Sequence, residues 1–146
     1  MATFSDPQDP SAALRLLSKQ LQGIPKELRQ KLRPALRAAA EPVVADARGR
    51  ASWSTRIPRA ISMSVRFSRD PGVIIRVRRS VAPHGRAYEG ITGASHFVHP
   101  VHGHRDREVA EETKPYLEPA VRAAADTVLA KGVAVVDEVA RENGFR

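Results

Sequence analysis

A chain of 146 residues, 42% apolar and only 5% aromatic, is sized for one modest core built mostly from aliphatic side chains. It contains no cysteine, which excludes disulfides and Cys-based zinc sites, and no run of 18 apolar residues of the kind that crosses a membrane as a helix. The net charge of +8 is uneven: 11 Lys/Arg against 5 Asp/Glu in residues 1–59, 8 against 3 in 60–107, and 5 against 8 in 108–146. A basic body with an acidic C-terminal segment points to a polyanion nearby or to head-to-tail contacts between copies, against the plainer reading of a solvated basic surface.

Residues 1–9 read as a loose leader, without the basic start and apolar stretch of a secretory signal. Asp9-Pro10 then offers an N-cap and a first-turn proline, and Ala13, Leu14, Leu17 and Leu21 recur at helical spacing up to Gly23. A long helix is predicted over 25–48, with Leu28, Leu32, Leu36, Ala39, Val43 and Ala47 on one stripe. Pro34 and Pro42 each remove an amide donor inside it. The stripe keeps its phase across both, which predicts one bent helix and not two separate ones. Gly49 is the expected stop.

After a basic connector containing Trp53, the period changes from helical to alternating. Ile61, Met63, Val65 and Phe67 alternate with Ser62, Ser64, Arg66 and Ser68, which predicts a strand over 60–68. Arg69-Asp70-Pro71-Gly72 is a turn signal, and Val73, Ile75 and Val77 predict an antiparallel partner over 73–79. Ile74 breaks the polar face of that partner and is a candidate contact with another copy. Two strands alone are unstable, so this hairpin needs a third strand, helix cover or a neighbour's edge. Residues 80–114 show little apolar period and are expected to form an extended loop, in which one short strand fits Arg86–Glu89. The last helix is predicted over 116–141, with Asn143-Gly144 as its stop. Its stripe is Leu117, Val121, Ala124, Val128, Val135 and Val139, widened by Ala120, Ala125, Leu129 and Val136 and slightly weakened by Gly132. The expected fold is α+β: one domain in which two long helices pack on a small antiparallel sheet, with a long loop before the C-terminal helix.

Catalytic chemistry finds no footing. His96, His99, His102 and His104 crowd together, but no cysteine or well-placed carboxylate completes a metal pattern, so no metal or cofactor is expected, and His99-Pro100 reads as a turn fixed by proline geometry. No serine sits in a GxSxG elbow and no glycine run resembles a phosphate loop. The rival to a purely structural role is non-specific DNA contact. Arg48, Arg50, Arg56 and Arg59 precede the hairpin, and Arg66, Arg76, Arg78 and Arg79 line its polar side. No sequence-reading element accompanies them.

Several short motifs, in this order, resemble a family of small neck, tail-completion or minor tail proteins of long-tailed double-stranded DNA phages. The resemblance runs from about Lys26 to Val139. The long helix and first strand pair look like the family's opening. Ala87-Tyr88-Glu89-Gly90 resembles its short strand ending in an aromatic, a Glu and a glycine. His99-Pro100-Val101-His102-Gly103 resembles its His-Pro-x-x-Gly loop. Pro115-Tyr116-Leu117-Glu118-Pro119-Ala120 resembles the Pro-aromatic-Leu-x-Pro-Ala start of its last helix and is the most distinctive match. Ser54-Thr55-Arg56-Ile57-Pro58 only approximates the family's Thr-Gly-x-Leu segment. The resemblance implies a non-enzymatic virion subunit at the head–tail junction or tail end, made in the host bacterial cytoplasm. It also implies a homo-oligomeric ring, six-fold like the tail, that contacts head-connector and tail proteins and surrounds the DNA path. Tyr88, Glu89, His99, Pro100, Gly103, Pro115 and Tyr116 would then join Ile74 at the ring or partner interface.

Overall fold

The computed structural model describes residues 23–69, 71–90 and 93–144, so the expected leader and first helix lie outside the described residues. It has the α+β class expected, with long helices near either end and two small antiparallel sheets of two strands each. The elements are α1 (Lys26–Arg50), α2 (Ile57–Ala60), β1 (Ile61–Arg66), β2 (Gly72–Val77), α3 (Gly85–Glu89), β3 (His96–Val101), β4 (His104–Glu112) and α4 (Leu117–Glu142). They gather into two compact units. The described residues of the first fall in 23–41, 63–74 and 125–144, and those of the second in 42–62 and 75–124.

Helix α1 runs unbroken through Pro34 and Pro42, as one helix and not two. Glu27 in its first turn and Arg48 and Arg50 in its last complement the helix dipole. The buried line is Leu28, Leu32, Leu36, Ala40, Val43, Val44 and Ala47. Ala40 is buried where Ala39 was expected, and Ala39 is half-buried beside it.

In the first unit, Leu28, Leu32 and Leu36 pack with Val65 and Phe67, and Val73, Val135, Val136 and Val139 close the cluster. Arg33 reinforces it from outside. Its guanidinium lies 5.4 Å from the centre of the Phe67 ring and donates to the Val65 carbonyl at 2.7 Å. The alternation read from the sequence holds from Ser64 to Ser68, where Val65 and Phe67 are buried and Ser64, Arg66 and Ser68 exposed. Ile61 is buried too, but Ser62 and Met63 are both half-buried. On α4, Val121 of the expected stripe is exposed, whereas Ala120, read as widening that stripe, is buried. Gly132, read as a weak point, is buried, and a Cβ placed there would stand 4.0 Å from Leu36 Cδ2, an ordinary contact, so packing does not require a glycine.

The extended loop expected over 80–114 is the main correction. Residues 85–89 form helix α3 where a strand was expected, and 96–112 form a second hairpin. Gly90 ends α3 in the left-handed conformation (φ 71°), with its amide on the Ala87 carbonyl at 3.1 Å. In the hairpin, Phe97 faces Glu111, Val98 faces Ala110 and His99 faces Val109. His99 and Pro100 therefore lie within a strand, and the turn falls at His102-Gly103, where Gly103 has φ 84°. The hairpin escaped notice because eight of the nine β4 residues are exposed, so no buried face writes an alternation into that strand.

Candidate interaction site

The second unit brings the motif residues together around Tyr88 and Glu89, two neighbours on α3 with opposite tasks. Tyr88 faces an aromatic ladder: the Trp53 ring centre is 4.8 Å away at 60° and the Phe97 ring 4.9 Å away at 83°, with His99 a further 5.7 Å from Phe97. These edge-on and tilted geometries suit ring quadrupoles. The Tyr88 hydroxyl donates to Glu111 Oε2 at 2.8 Å, and His99 Nε2 lies 3.1 Å from the same oxygen. That hydrogen bond, with some burial and the carboxylate's charge, raises the Tyr88 pKa. The ladder thus holds the β3–β4 hairpin to α3 and to the turn after α1.

Glu89 turns the other way and caps α4 from 27 to 29 residues upstream. Its Oε2 accepts the Tyr116 and Leu117 amides at 3.0 Å each, and its Oε1 accepts the Glu118 amide at 2.7 Å. A helix opens with four amides that have no partner inside it. The fourth here belongs to Pro119, which has no N–H. The Pro-aromatic-Leu-x-Pro-Ala motif is therefore the receiving half of a joint whose other half is Glu89. Replacing Glu89 by Ala leaves three donors without this charged acceptor and should lower stability by about 2 kcal/mol. Glu89→Gln, which keeps one acceptor oxygen, should cost about half that, with urea titration of both variants as the measurement.

Tyr116 completes the joint. It is fully buried, and its hydroxyl donates to the Gly85 carbonyl at 2.9 Å. A Cβ on Gly85 would stand 3.0 Å from Val77 Cγ1 and 3.1 Å from that hydroxyl, tighter than ordinary contacts, so both neighbours would have to give way slightly to any larger residue. Burial, and secondarily the Glu89 charge, push the Tyr116 pKa up to about 12. The unfolded phenol ionises near 10, so the folded state holds its proton longer. The hydroxyl's contribution is intact below pH 10 and is lost as pH rises towards about 12. The stability gap between the native chain and Tyr116→Phe should be about 1–2 kcal/mol at neutral pH and shrink through that window. A gap that stays constant from pH 9 to 12 would refute this.

The structure places the other expected residues more loosely. Pro100, Gly103 and Pro115 are exposed, and Ile74 is half-buried on β2. Arg50 pairs with Asp46 at 2.9 Å, Arg48 donates to the Ile61 carbonyl at 3.2 Å, and Arg78 donates to the Arg59 carbonyl at 3.2 Å. Arg56, Arg59, Arg66, Arg76, Arg78 and Arg79 are all exposed, and among the described residues none forms an ion pair with a carboxylate. The histidines do not converge: among the described residues, no group of three His, Asp or Glu side chains is placed to hold a metal. No described helix is long and apolar enough to cross a membrane. Three contributors escaped the sequence reading. Trp53 was passed over as part of a basic connector, and Glu111 and Lys114 only gain meaning once β4 is folded back.

Beside the ladder opens a cleft of about 380 Å³, lined by Trp53, Arg56, Pro83, His84 and Tyr88 among others. Trp53 is 42% exposed there, and Lys114 Nζ lies 5.2 Å from its ring centre. Comparison with known protein families, with curated proteins and with solved structures finds no match for this chain.

Proposed function

We propose that this chain is a non-catalytic structural subunit of a phage particle, acting at the head–tail junction or tail end as one copy in a ring around the DNA path. The observation that carries the reading is the β3–β4 hairpin. Among the described residues it has two strands and no third, which leaves an outer edge on each strand for a neighbouring chain. Its exposed valines, Val98 at 60% and Val109 at 44%, gain cover only from something outside the described fold. The ladder from Trp53 to His99 anchors the hairpin at its base, so it is held out as a formed element. Half-buried Ile74 is a second contact of the same kind. The order of the short motifs supplies the remaining support, together with the joint that explains two of them.

In this reading the ring is homo-oligomeric and six-fold, its neighbours are head-connector and tail proteins, and the chain resides in the virion. The exposed arginines that have no carboxylate partner among the described residues favour a second role, non-specific contact with DNA. Electron microscopy of assembled particles, with this chain located by a label, tests the proposal. Ring-shaped density at the head–tail joint or tail end is expected, and absence from mature particles would overturn it. DNA binding by the purified chain should be weak, indifferent to sequence and lost as salt rises. A footprint on one defined sequence at physiological salt would favour a DNA-binding accessory protein.

A further inference from the structure

We infer that the outer face of the β3–β4 hairpin docks, head to tail, on Arg59, Arg76, Arg78 and Arg79 of a second copy of this chain. That the partner is another copy rests on the proposed assembly, whereas the two surfaces come from the fold.

The strand register divides the hairpin into two faces. Phe97, His99 and Glu111 lie on the side held by Tyr88, and all three are half-buried. Residues directly opposite one another share a face, so His96 with Glu112, Val98 with Ala110 and Pro100 with Glu108 make up the other side. All six are exposed, Val98 at 60%. The middle of this outer face is apolar, and on β4 a carboxylate stands on each side of Ala110. Neither Glu108 nor Glu112 forms an ion pair among the described residues. At about 3.3 Å per residue they lie roughly 13 Å apart, too far for one cation to serve both. A partner must therefore offer several.

The same unit carries such a surface. Arg59 lies in α2, Arg76 on β2, and Arg78 and Arg79 just beyond β2, all four exposed. The Arg78 amide donates to the Ala60 carbonyl at 2.8 Å and its guanidinium to the Arg59 carbonyl at 3.2 Å, which holds Arg59 and Arg78 side by side. Cations gathered in this way repel one another unless an anion joins them, and among the described residues no carboxylate pairs with any of the four. Guanidinium forks match carboxylates, and arginine stems can cover apolar surface such as Val98 and Ala110. DNA would also neutralise the arginines, but it would leave Val98 uncovered and repel Glu108 and Glu112. Since the two surfaces do not pair within one copy, the hairpin of one is left to meet the arginines of the next. Repetition of such a head-to-tail contact closes into a ring.

Charge reversal tests the pairing. One full-length variant carries Glu108→Arg and Glu112→Arg, the other Arg76→Glu and Arg79→Glu, and far-UV circular dichroism establishes that each is folded. Sedimentation velocity of the native chain at about 10 mM salt, where charges act over roughly 30 Å, should show association as concentration rises. At about 150 mM, where that reach falls to about 8 Å, association should weaken. Each variant alone should associate about tenfold more weakly than the native chain. An equal mixture of the two should recover the native association, because the reversed hairpin of one then meets the reversed arginines of the other. The reversals move the net charge of +8 by four in opposite directions, so both variants stay positive and net charge cannot draw the mixture together. A native chain that stays monomeric at low salt, variants that associate as it does, or a mixture that fails to recover would each overturn the inference. So would loss of DNA binding by the arginine variant with its self-association intact, which would assign that surface to DNA. Self-association and particle location are measured separately, so this inference and the phage assignment can fail independently.

Discussion

Tyr116→Ala should lower stability by about 3–5 kcal/mol and the melting temperature by on the order of 10 °C. Three losses coincide at this residue. The ring is fully buried, so truncation opens a cavity in the second unit. The Gly85 carbonyl loses its 2.9 Å donor. The Tyr116 amide, held by Glu89, must remain where the helix begins although the side chain that seated it has gone. Trp53 fluorescence during thermal unfolding reports on this unit directly, since Trp53 and Tyr116 both belong to it. Tyr116→Phe serves as the control, because it removes only the hydroxyl. A Tyr116→Ala loss no larger than that of Tyr116→Phe would mean the ring itself contributes nothing.

The joint at Tyr116 also marks the limit of what the sequence disclosed. The long helices and first hairpin were legible because each has one buried face, and burial on one face writes a period into the chain: four-residue steps from Leu28 to Leu36, two-residue steps from Ile61 to Phe67. The second hairpin was not. Its half-buried residues Phe97, His99 and Val101 do alternate, but with histidines and a proline in β3 and a run of charges in β4 the pattern reads as loop. The cap from Glu89 to α4 was invisible for a different reason. Capping signals are sought within a few residues of the helix start, whereas this carboxylate arrives from another element. Only Pro119, in the helix's third position, hinted that the first turn was arranged around something.

The same comparison changes what the motifs mean. Glu89 and Tyr116 were expected at a partner interface, yet the structure uses both to fasten α3 to α4 inside one unit. Tyr88 and His99 likewise spend their polar atoms on Glu111. Whatever part they take in contacts with a neighbour, these residues hold in place a hairpin whose outer strand edges are open among the described residues.

Leu32→Ala is expected to cost about 3–4 kcal/mol, the largest effect of any aliphatic truncation in the first unit. Leu32 has no exposed surface and sits mid-stripe on α1, with Leu28 one turn before and Leu36 one turn after. Val65 approaches from β1 and Phe67 from just past its end, and Val135, Val136 and Val139 from α4. With neighbours on helix and strand alike, the site cannot collapse into the space left by the missing methyl groups without moving backbone. That rigidity puts the cost above the bare transfer value of the side chain. Leu32→Met, which keeps nearly the same volume, should cost less than about 1.5 kcal/mol. Chemical denaturation followed by far-UV circular dichroism measures both. Amide exchange then localises the effect, with protection lost first across 63–69 and 125–142, the segments that share the cluster. A Leu32→Ala loss below that of Leu32→Met would show that this cluster is not the core of its unit.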